Sequence, residues 1–206
     1  MNKDENSAQL LNSVIQSLIT ILEQLVQQSS ENEIVSVFCS FVTYCVRGWL
    51  VPIFTPFIQF IMNTLIRYLQ QDSQNSLLLK TVTSLTQFYA KSYPEDFYSV
   101  LKNVAMIAEM NLTFNSDDYV RELMALFGSF STVCCYQFNG DVGCIQTVLR
   151  ICEGYVQSAA NRGKVACFAF MNKMLRLEAD NENIKLVFVQ MAPHLVDVCY
   201  VDFSYL

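Results

Sequence analysis

The amino-acid sequence predicts an all-α fold, and three observations lead to that prediction. Apolar residues recur three and four positions apart along nearly all of the 206-residue chain, which is the period of an amphipathic helix. No segment shows the alternation of a convincing β-strand. Only six glycines and four prolines break the chain, and 52% of its residues are apolar, so long ordered helices are expected almost throughout.

The period predicts nine helices, each starting or ending at residues that favour helix boundaries. Thr55 precedes Pro56 and suits an N-cap followed by proline in the first turn. Pro94 is followed by two acidic residues, which the dipole favours at a helix start. The predicted helices run from about Asn6 to Gln28, Glu31 to Arg47, Thr55 to Gln70, Ser76 to Ser92, Pro94 onward, Ser116 to Tyr136, Asp141 to Ala160, Lys164 to Leu177, and Glu182 to Tyr200 with a bend near Pro193.

The spacing of alternate helices indicates a repeat. The second, fourth, sixth and eighth predicted helices begin near positions 31, 76, 116 and 164, so their starts are separated by about 40 to 48 residues. A two-helix unit of that length is typical of HEAT or armadillo repeats. We therefore predict one solenoid domain over residues 1–206, with four to five helix pairs and with residues 1–6 disordered. A closed helical bundle is the alternative.

One stretch, residues 47–69, raises the question of a membrane span because it carries no charge between Arg47 and Arg67. Polar residues at positions 59, 63, 67 and 70 share one face of the helix, and a single span offers their side chains no partners. We therefore expect an amphipathic helix that packs on protein. Its predicted buried residues are Phe57, Phe60, Ile61 and Leu65, and its predicted exposed residues are Asn63 and Arg67.

Composition argues against several classes of function. The net charge of −6 and the pI near 4.7 do not suit direct binding to nucleic acid, which relies on basic residues that meet phosphates. The eight cysteines lie within apolar helical patterns, which suits small buried side chains in a reducing compartment. The sequence contains no metal-ligand, phosphate-loop or nucleophile motif. No such motif accompanies its one histidine, His194. We expect no enzyme, no cofactor and no metal site.

The order of these segments resembles a known family. The resemblance rests on ENEIVSVFCSFVTYCVRGWLVPIFTPFIQFIMNTLIRYL (residues 31–69), LLLKTVTSLTQFYAKSYPEDF (77–97) and DDYVRELMALFGSFSTVCCYQF (117–138). These segments resemble C-terminal HEAT repeats of the karyopherin-β nuclear transport receptors, in the branch that includes importin-13 and transportin-3. The proline-marked helix after Leu50 and the aromatic turn at residues 93–97 match the family pattern. The resemblance covers about Leu10 to Leu195.

The resemblance implies a protein-binding segment of an importin-like receptor, located in the cytoplasm and the nucleus. In that family the inner helices of the superhelix face protein cargo, and the outer helices offer hydrophobic slots to nucleoporins. The receptors are several times longer than this chain and bind the GTPase Ran chiefly through N-terminal repeats, so we expect no Ran-dependent transport by this chain alone. It is expected to be either a fragment of a receptor or a short relative. A HEAT scaffold subunit outside nuclear transport is the alternative function.

Acidic residues at the starts of the predicted inner helices are the candidate binding residues. On the inner edge of a solenoid they would meet the lysines and arginines of a basic cargo, each exposed pair contributing about 0.2–1 kcal/mol. Acids also stabilise helix starts through the dipole, and that structural role is the alternative. The candidates are Glu31, Glu33, Asp117, Asp118 and Glu122.

Overall fold

The chain is helical wherever its structure is described. The computed structural model describes residues 3–28, 32–46, 54–112, 116–177 and 182–203, and this part contains no strand. One 3₁₀ turn, Thr55–Phe57, leads into the third helix. The helices are α1 (Lys3–Gln28), α2 (Asn32–Val46), α3 (Ile58–Gln71), α4 (Ser76–Tyr89), α5 (Pro94–Met110), α6 (Asp117–Val133), α7 (Cys135–Gly140), α8 (Val142–Ser158), α9 (Asn161–Leu177) and α10 (Glu182–Phe203).

The all-α prediction is confirmed, although the described residues form ten α-helices where nine were predicted and several boundaries differ, among them the end of α4 at Tyr89 and the start of α9 at Asn161. Helix α1 begins at Lys3 and so includes residues 3–6, for which we predicted disorder. The predicted sixth helix does not continue to Tyr136: α6 ends at Val133, and the short helix α7 follows. Near that end the carbonyl of Gly128 accepts hydrogen bonds from two hydroxyl groups of its own helix, at positions 131 and 132. Such bonds compete with the helical ladder.

Polar side chains cap three of the helices. Asn75 accepts hydrogen bonds from the backbone N–H groups of Leu77 and Leu78 at 3.1 and 3.2 Å, and so caps α4. Ser116 caps α6, and Asp141 caps α8. Each cap satisfies a backbone donor that the first helical turn leaves unpaired. Thr55 does not act as the predicted cap, because it is itself the first residue of the 3₁₀ turn and Phe54 precedes it.

The chain divides into two compact units, residues 1–63 and residues 64–206. In the first unit α1 packs on α2. Helix α1 buries Ile15 and Ile19, and α2 buries a wider apolar face that includes Phe38 and Val42. The rings of Phe41 and Phe54 meet edge to face, with centroids 6.1 Å apart. Burial of apolar surface between the two helices therefore holds this unit together.

Helix α3 confirms one part of the predicted pattern and corrects another. Ile61 and Leu65 are buried, while Asn63 and Arg67 are exposed, as predicted. Phe57 and Phe60, which we predicted to be buried, are only half-buried. The 3₁₀ turn explains the difference for Phe57, because its tighter winding rotates that residue away from the face that the following α-helix buries. Phe60 lies in α3 itself, between exposed Gln59 and buried Ile61, at the edge of the buried face. Within the described residues, every helix is too short or too polar to cross a lipid bilayer.

The second unit contains two rows of helices. In the first row α6 packs against both α4 and α9. In the second row α8 packs against both α5 and α10. Contacts between α8 and α9 and between α5 and α6 join the rows, and α7 contacts helices of both. The largest fully buried side chains of this unit include Phe97, Tyr119, Phe127, Phe138 and Tyr155, and the rings of Tyr119 on α6 and Tyr155 on α8 meet between the rows.

Polar contacts between helices recur at a nearly constant sequence separation. Nine such hydrogen bonds in the second unit join residues 40 to 46 positions apart. The contact between the sulfur atoms of Cys152 and Met124, 28 positions apart, is an exception. In the first row Gln87 reaches Ser129 of the next helix, and in the second row Gln146 reaches Gln190. The same sequence separation occurs in both rows, and it is about the length of one helix pair. Each helix therefore contacts the corresponding helix of the next pair along the chain.

Candidate protein-binding surfaces

The predicted acidic residues fall in different parts of the molecule. Glu31 lies outside the described residues. Glu33 is exposed in the first turn of α2, in the first unit. Asp117, Asp118 and Glu122 lie together at the start of α6, in the second unit. The structure thus brings three of the five candidates together, on a helix of the first row.

Each of those three acidic side chains contacts another residue of the chain. The carboxylate of Asp117 accepts a hydrogen bond from the backbone N–H of Gly163 in the first turn of α9, at 3.2 Å. Asp118 and Glu122 each lie 3.3 Å from the guanidinium group of Arg121. Asp117 therefore satisfies a donor at the start of a neighbouring helix, and Arg121 partly neutralises the other two acids, of which Asp118 stays exposed.

The charge of the two rows has opposite sign. The first row carries six basic side chains and three acidic ones, a balance of +3: Lys80, Arg121, Arg162, Lys164, Lys173 and Arg176 against Asp117, Asp118 and Glu122. Among its described side chains the second row carries three basic and five acidic ones, a balance of −2: Lys102, Arg150 and Lys185 against Glu95, Asp96, Glu109, Glu153 and Glu182. Six of the nine basic side chains counted on the two rows thus lie on the first row, although the chain as a whole is acidic.

Helix α9 carries most of that positive charge. Arg162 and Arg176 are exposed at its two ends, and between them lie exposed Val165, Ala169 and Asn172. This face joins charged groups at its ends to small and apolar side chains in its middle. Such a face suits a protein segment that carries carboxylates on either side of an apolar stretch.

Lys173 fixes the contact between α6 and α9. Its ammonium group donates a hydrogen bond to the carbonyl of Gly128, at 2.5 Å. Gly128 permits this approach, because a Cβ atom at that position would lie 3.3 Å from the Lys173 Nζ atom. Partial burial lowers the pKa of Lys173, since desolvation disfavours the charged form. Lys173 therefore stabilises the row from within, while Arg162 and Arg176 are exposed and Arg176 donates a hydrogen bond to the Asn172 side chain at 3.3 Å.

Asp141 joins α5 to the start of α8. Its carboxylate accepts hydrogen bonds from the Tyr98 hydroxyl group at 2.9 Å and from the Cys144 backbone N–H at 3.0 Å, and it lies 2.8 Å from the Lys102 Nζ atom. The hydrogen bond from Lys102 and that from the Cys144 backbone lower the pKa of Asp141. Burial raises the pKa of Tyr98. We call Asp141, Tyr98, Lys102 and the Cys144 N–H the carboxylate clamp, since all the donors meet one carboxylate and the cluster is structural.

An open cleft lies between α8 and α10. It has a volume of about 380 Å³ and is lined by Gln146, Arg150, Glu153, Gln190 and Met191. Arg150 is 3.2 Å from the carboxylate of Glu109 on α5 and also donates to the Thr147 hydroxyl group. A cleft of this size accepts one large side chain of a partner, with Met191 and the aliphatic stems of the polar residues as its apolar walls.

The described cysteines behave mainly as core residues. Six are buried, as predicted: Cys39, Cys45, Cys134, Cys144, Cys152 and Cys167. Burial raises the pKa of Cys134 to about 11, which disfavours the reactive thiolate. Cys135 is exposed and begins α7, so the neighbouring Cys134 and Cys135 do not both lie within α6 as predicted. The side chains of His194 and Cys199 lie outside the described part of the structure.

Comparisons of the chain with protein-family models, with curated proteins and with solved structures give no match.

Sequence reasoning missed the basic character of the first row. The overall acidity directed attention to acids at helix starts, although four basic residues occur within the 17 residues of α9. A count of charge for each predicted helix would have found this signal. The cleft between α8 and α10 could not have been found in this way, because two segments 44 residues apart form it.

Proposed function

We propose that this chain is a HEAT-type α-solenoid that binds proteins, as a segment of an importin-like nuclear transport receptor. The recurrence of polar contacts at separations of 40 to 46 residues, within two rows of helices, is the observation that carries the proposal. A helix pair of that length which packs on the next pair is the unit of HEAT and armadillo solenoids. The family assignment rests in addition on the resemblance of residues 31–69, 77–97 and 117–138 to karyopherin-β repeats.

The first row is the proposed cargo-facing row of this segment. Its helices α4, α6 and α9 occupy the positions of the fourth, sixth and eighth predicted helices, which the resemblance assigns to the inner surface. Because the net charge of the first row is positive, this row should bind acidic segments of a partner. The acidic residues at the helix starts, taken alone, had predicted basic segments. Asp117, Asp118 and Glu122 already contact Gly163 or Arg121, so they should bind the basic residues of a cargo less strongly.

The second row is the proposed nucleoporin-facing row. Its cleft between α8 and α10 has room for one aromatic side chain such as the phenylalanine of a nucleoporin repeat. Exposed apolar residues on the same row, Met106, Met110, Leu186 and Val189, would add contact area.

Retention on immobilised nucleoporin repeats tests the transport proposal. A matrix of phenylalanine-glycine repeats is compared with one in which serine replaces each phenylalanine. The expected result is retention of the purified chain on the first matrix only. Met191→Glu, which places a charge in the cleft, should weaken retention, and Val165→Glu on the first row is the matched control. Equal passage of the wild-type chain through both matrices would contradict the transport proposal and favour the alternative, a HEAT scaffold subunit of another assembly.

A further inference from the structure

Helix α1 presents a second apolar stripe that is largely exposed. Ile15 and Ile19 face α2 and are only 4% exposed. Beside them lie five large apolar residues that are 42% to 69% exposed: Leu10, Val14, Leu18, Ile21 and Leu25. At 3.6 residues per turn these five fall within an arc of about 80°. A helix that packs on one neighbour has no need of this second stripe.

The order of side chains along the stripe reads the same in both directions. It runs Leu, β-branched, Leu, β-branched, Leu, with Leu18 at the centre. The outer pair, Leu10 and Leu25, and the inner pair, Val14 and Ile21, share one midpoint between positions 17 and 18. A second copy related by a two-fold axis at that midpoint would place leucine beside leucine and valine beside isoleucine. Such self-complementarity is what an isologous interface requires.

The charge of the helix also favours a second copy. Every described exposed side chain of α1 from Ser7 to Leu25 is uncharged. The whole chain carries a net charge of −6, so two copies repel each other at long range. The described exposed side chains along the stripe add no local repulsion, and the polar ones among them are serine, threonine, asparagine and glutamine.

We propose that the chain self-associates through this stripe, as an antiparallel two-fold pair of α1 helices. Sedimentation of the full chain over a range of concentrations tests the proposal. The expected mass rises from that of the 23.5 kDa chain to twice that value. Leu18→Glu brings two carboxylates together at the axis and should raise the dissociation constant by about tenfold or more. Val37→Glu, on an exposed apolar residue of α2 outside the stripe, should leave the dissociation constant unchanged.

Cysteine crosslinking tests the antiparallel arrangement, in a background in which Cys135→Ser removes the exposed thiol. Leu18→Cys should crosslink to itself. Leu10→Cys should crosslink to Leu25→Cys in a mixture of the two variants but not to itself, because the two positions are about 22 Å apart along the helix. Self-crosslinking of Leu10→Cys would overturn the antiparallel pair.

Two further outcomes would overturn self-association. One is a mass that stays at that of a single chain at all concentrations. The other is a fall in the free energy of unfolding of Leu18→Glu with no change in mass, which would mean that the chain itself covers the stripe. Pairing of wild-type chain with a different protein, without pairing to itself, would likewise exclude the second copy as the occupant.

Discussion

The two rows of the second unit share a register but differ in charge and in how they are held together. In the first row α6 packs between α4 and α9, and its polar links are the hydrogen bonds of Gln87, Asp117 and Lys173. In the second row Asp141, which caps α8, accepts a hydrogen bond from the Tyr98 hydroxyl group and lies against Lys102, both on α5. Arg150 of α8 also meets Glu109 of α5. The first row is net basic and the second net acidic. Packing therefore sets the common register, while surface charge differs between rows and bears on the choice of partner.

Truncation of the shared core should have the largest effect on stability. Phe127 of α6 is fully buried, and its ring centroid lies 6.0 Å from that of Phe170 on α9. Phe127→Ala should lower the free energy of unfolding by about 3–5 kcal/mol, because it leaves a cavity. Urea denaturation followed by circular dichroism measures the loss. Phe88→Ala, on a half-exposed residue of α4, is the control and should cost less than about 1 kcal/mol. Equal losses would mean that the rows do not share this core.

The carboxylate clamp should make the stability of the second row depend on pH. The pKa of Asp141 is lowered in the folded chain from its ordinary value of 3.8, so its stabilisation is fully present above about pH 4. It should be lost as the pH falls through the lowered folded value. Asp141→Asn should flatten this part of the pH profile. Asp141→Ala should cost about 1–2 kcal/mol at pH 7, because it also removes the cap of α8.

Denaturation at pH 7 and at pH 3 distinguishes the cap from the charge. The difference in stability between wild type and Asp141→Asn should be larger at pH 7 than at pH 3. A difference that is the same at both pH values would mean that the contact with Lys102 contributes nothing. Tyr98→Phe, which removes one donor to the same carboxylate, should shift the profile in the same direction by a smaller amount.

Charge reversal should have little effect on stability but should change binding. Arg162→Glu with Arg176→Glu alters two exposed side chains of the first row, and we expect a change within about 0.5 kcal/mol in the free energy of unfolding. Retention of the chain on an immobilised polyglutamate peptide at low salt should fall several-fold, since each exposed pair contributes about 0.2–1 kcal/mol. The control, Lys185→Glu on the second row, should retain most of the binding. Equal losses would contradict a basic binding face on the first row.

Much of the helical pattern was predictable from the sequence, since apolar period and polar caps act locally. Ser116 and Asp141 marked helix starts correctly because their side chains accept hydrogen bonds from backbone N–H groups within one turn. The division of the predicted sixth helix near Cys134 was not predicted, because the apolar pattern continues through this point without a glycine or proline. The half-burial of Phe57 was missed because an ideal α-helical wheel does not describe a 3₁₀ turn.

The candidate site was less predictable. The sequence identified acids at the start of α6 but could not reveal that Arg121 balances two of them or that Asp117 meets the backbone of α9. A side chain that caps its own helix and one that caps a neighbour look alike in a sequence. The cleft between α8 and α10 depends on the packing of two distant segments, which local periodicity does not specify.

Crosslinking at the repeat offset tests the central claim most directly. In a Cys135→Ser background, cysteines replace Gln87 and Ser129 in the first row, or Gln146 and Gln190 in the second, and a short bismaleimide reagent joins neighbouring thiols. A stack of helix pairs predicts efficient intramolecular crosslinking for both pairs and none for Gln87→Cys combined with Gln190→Cys. Crosslinking of that mismatched pair, or failure of both matched pairs in a folded chain, would contradict the stacked arrangement and favour a closed bundle.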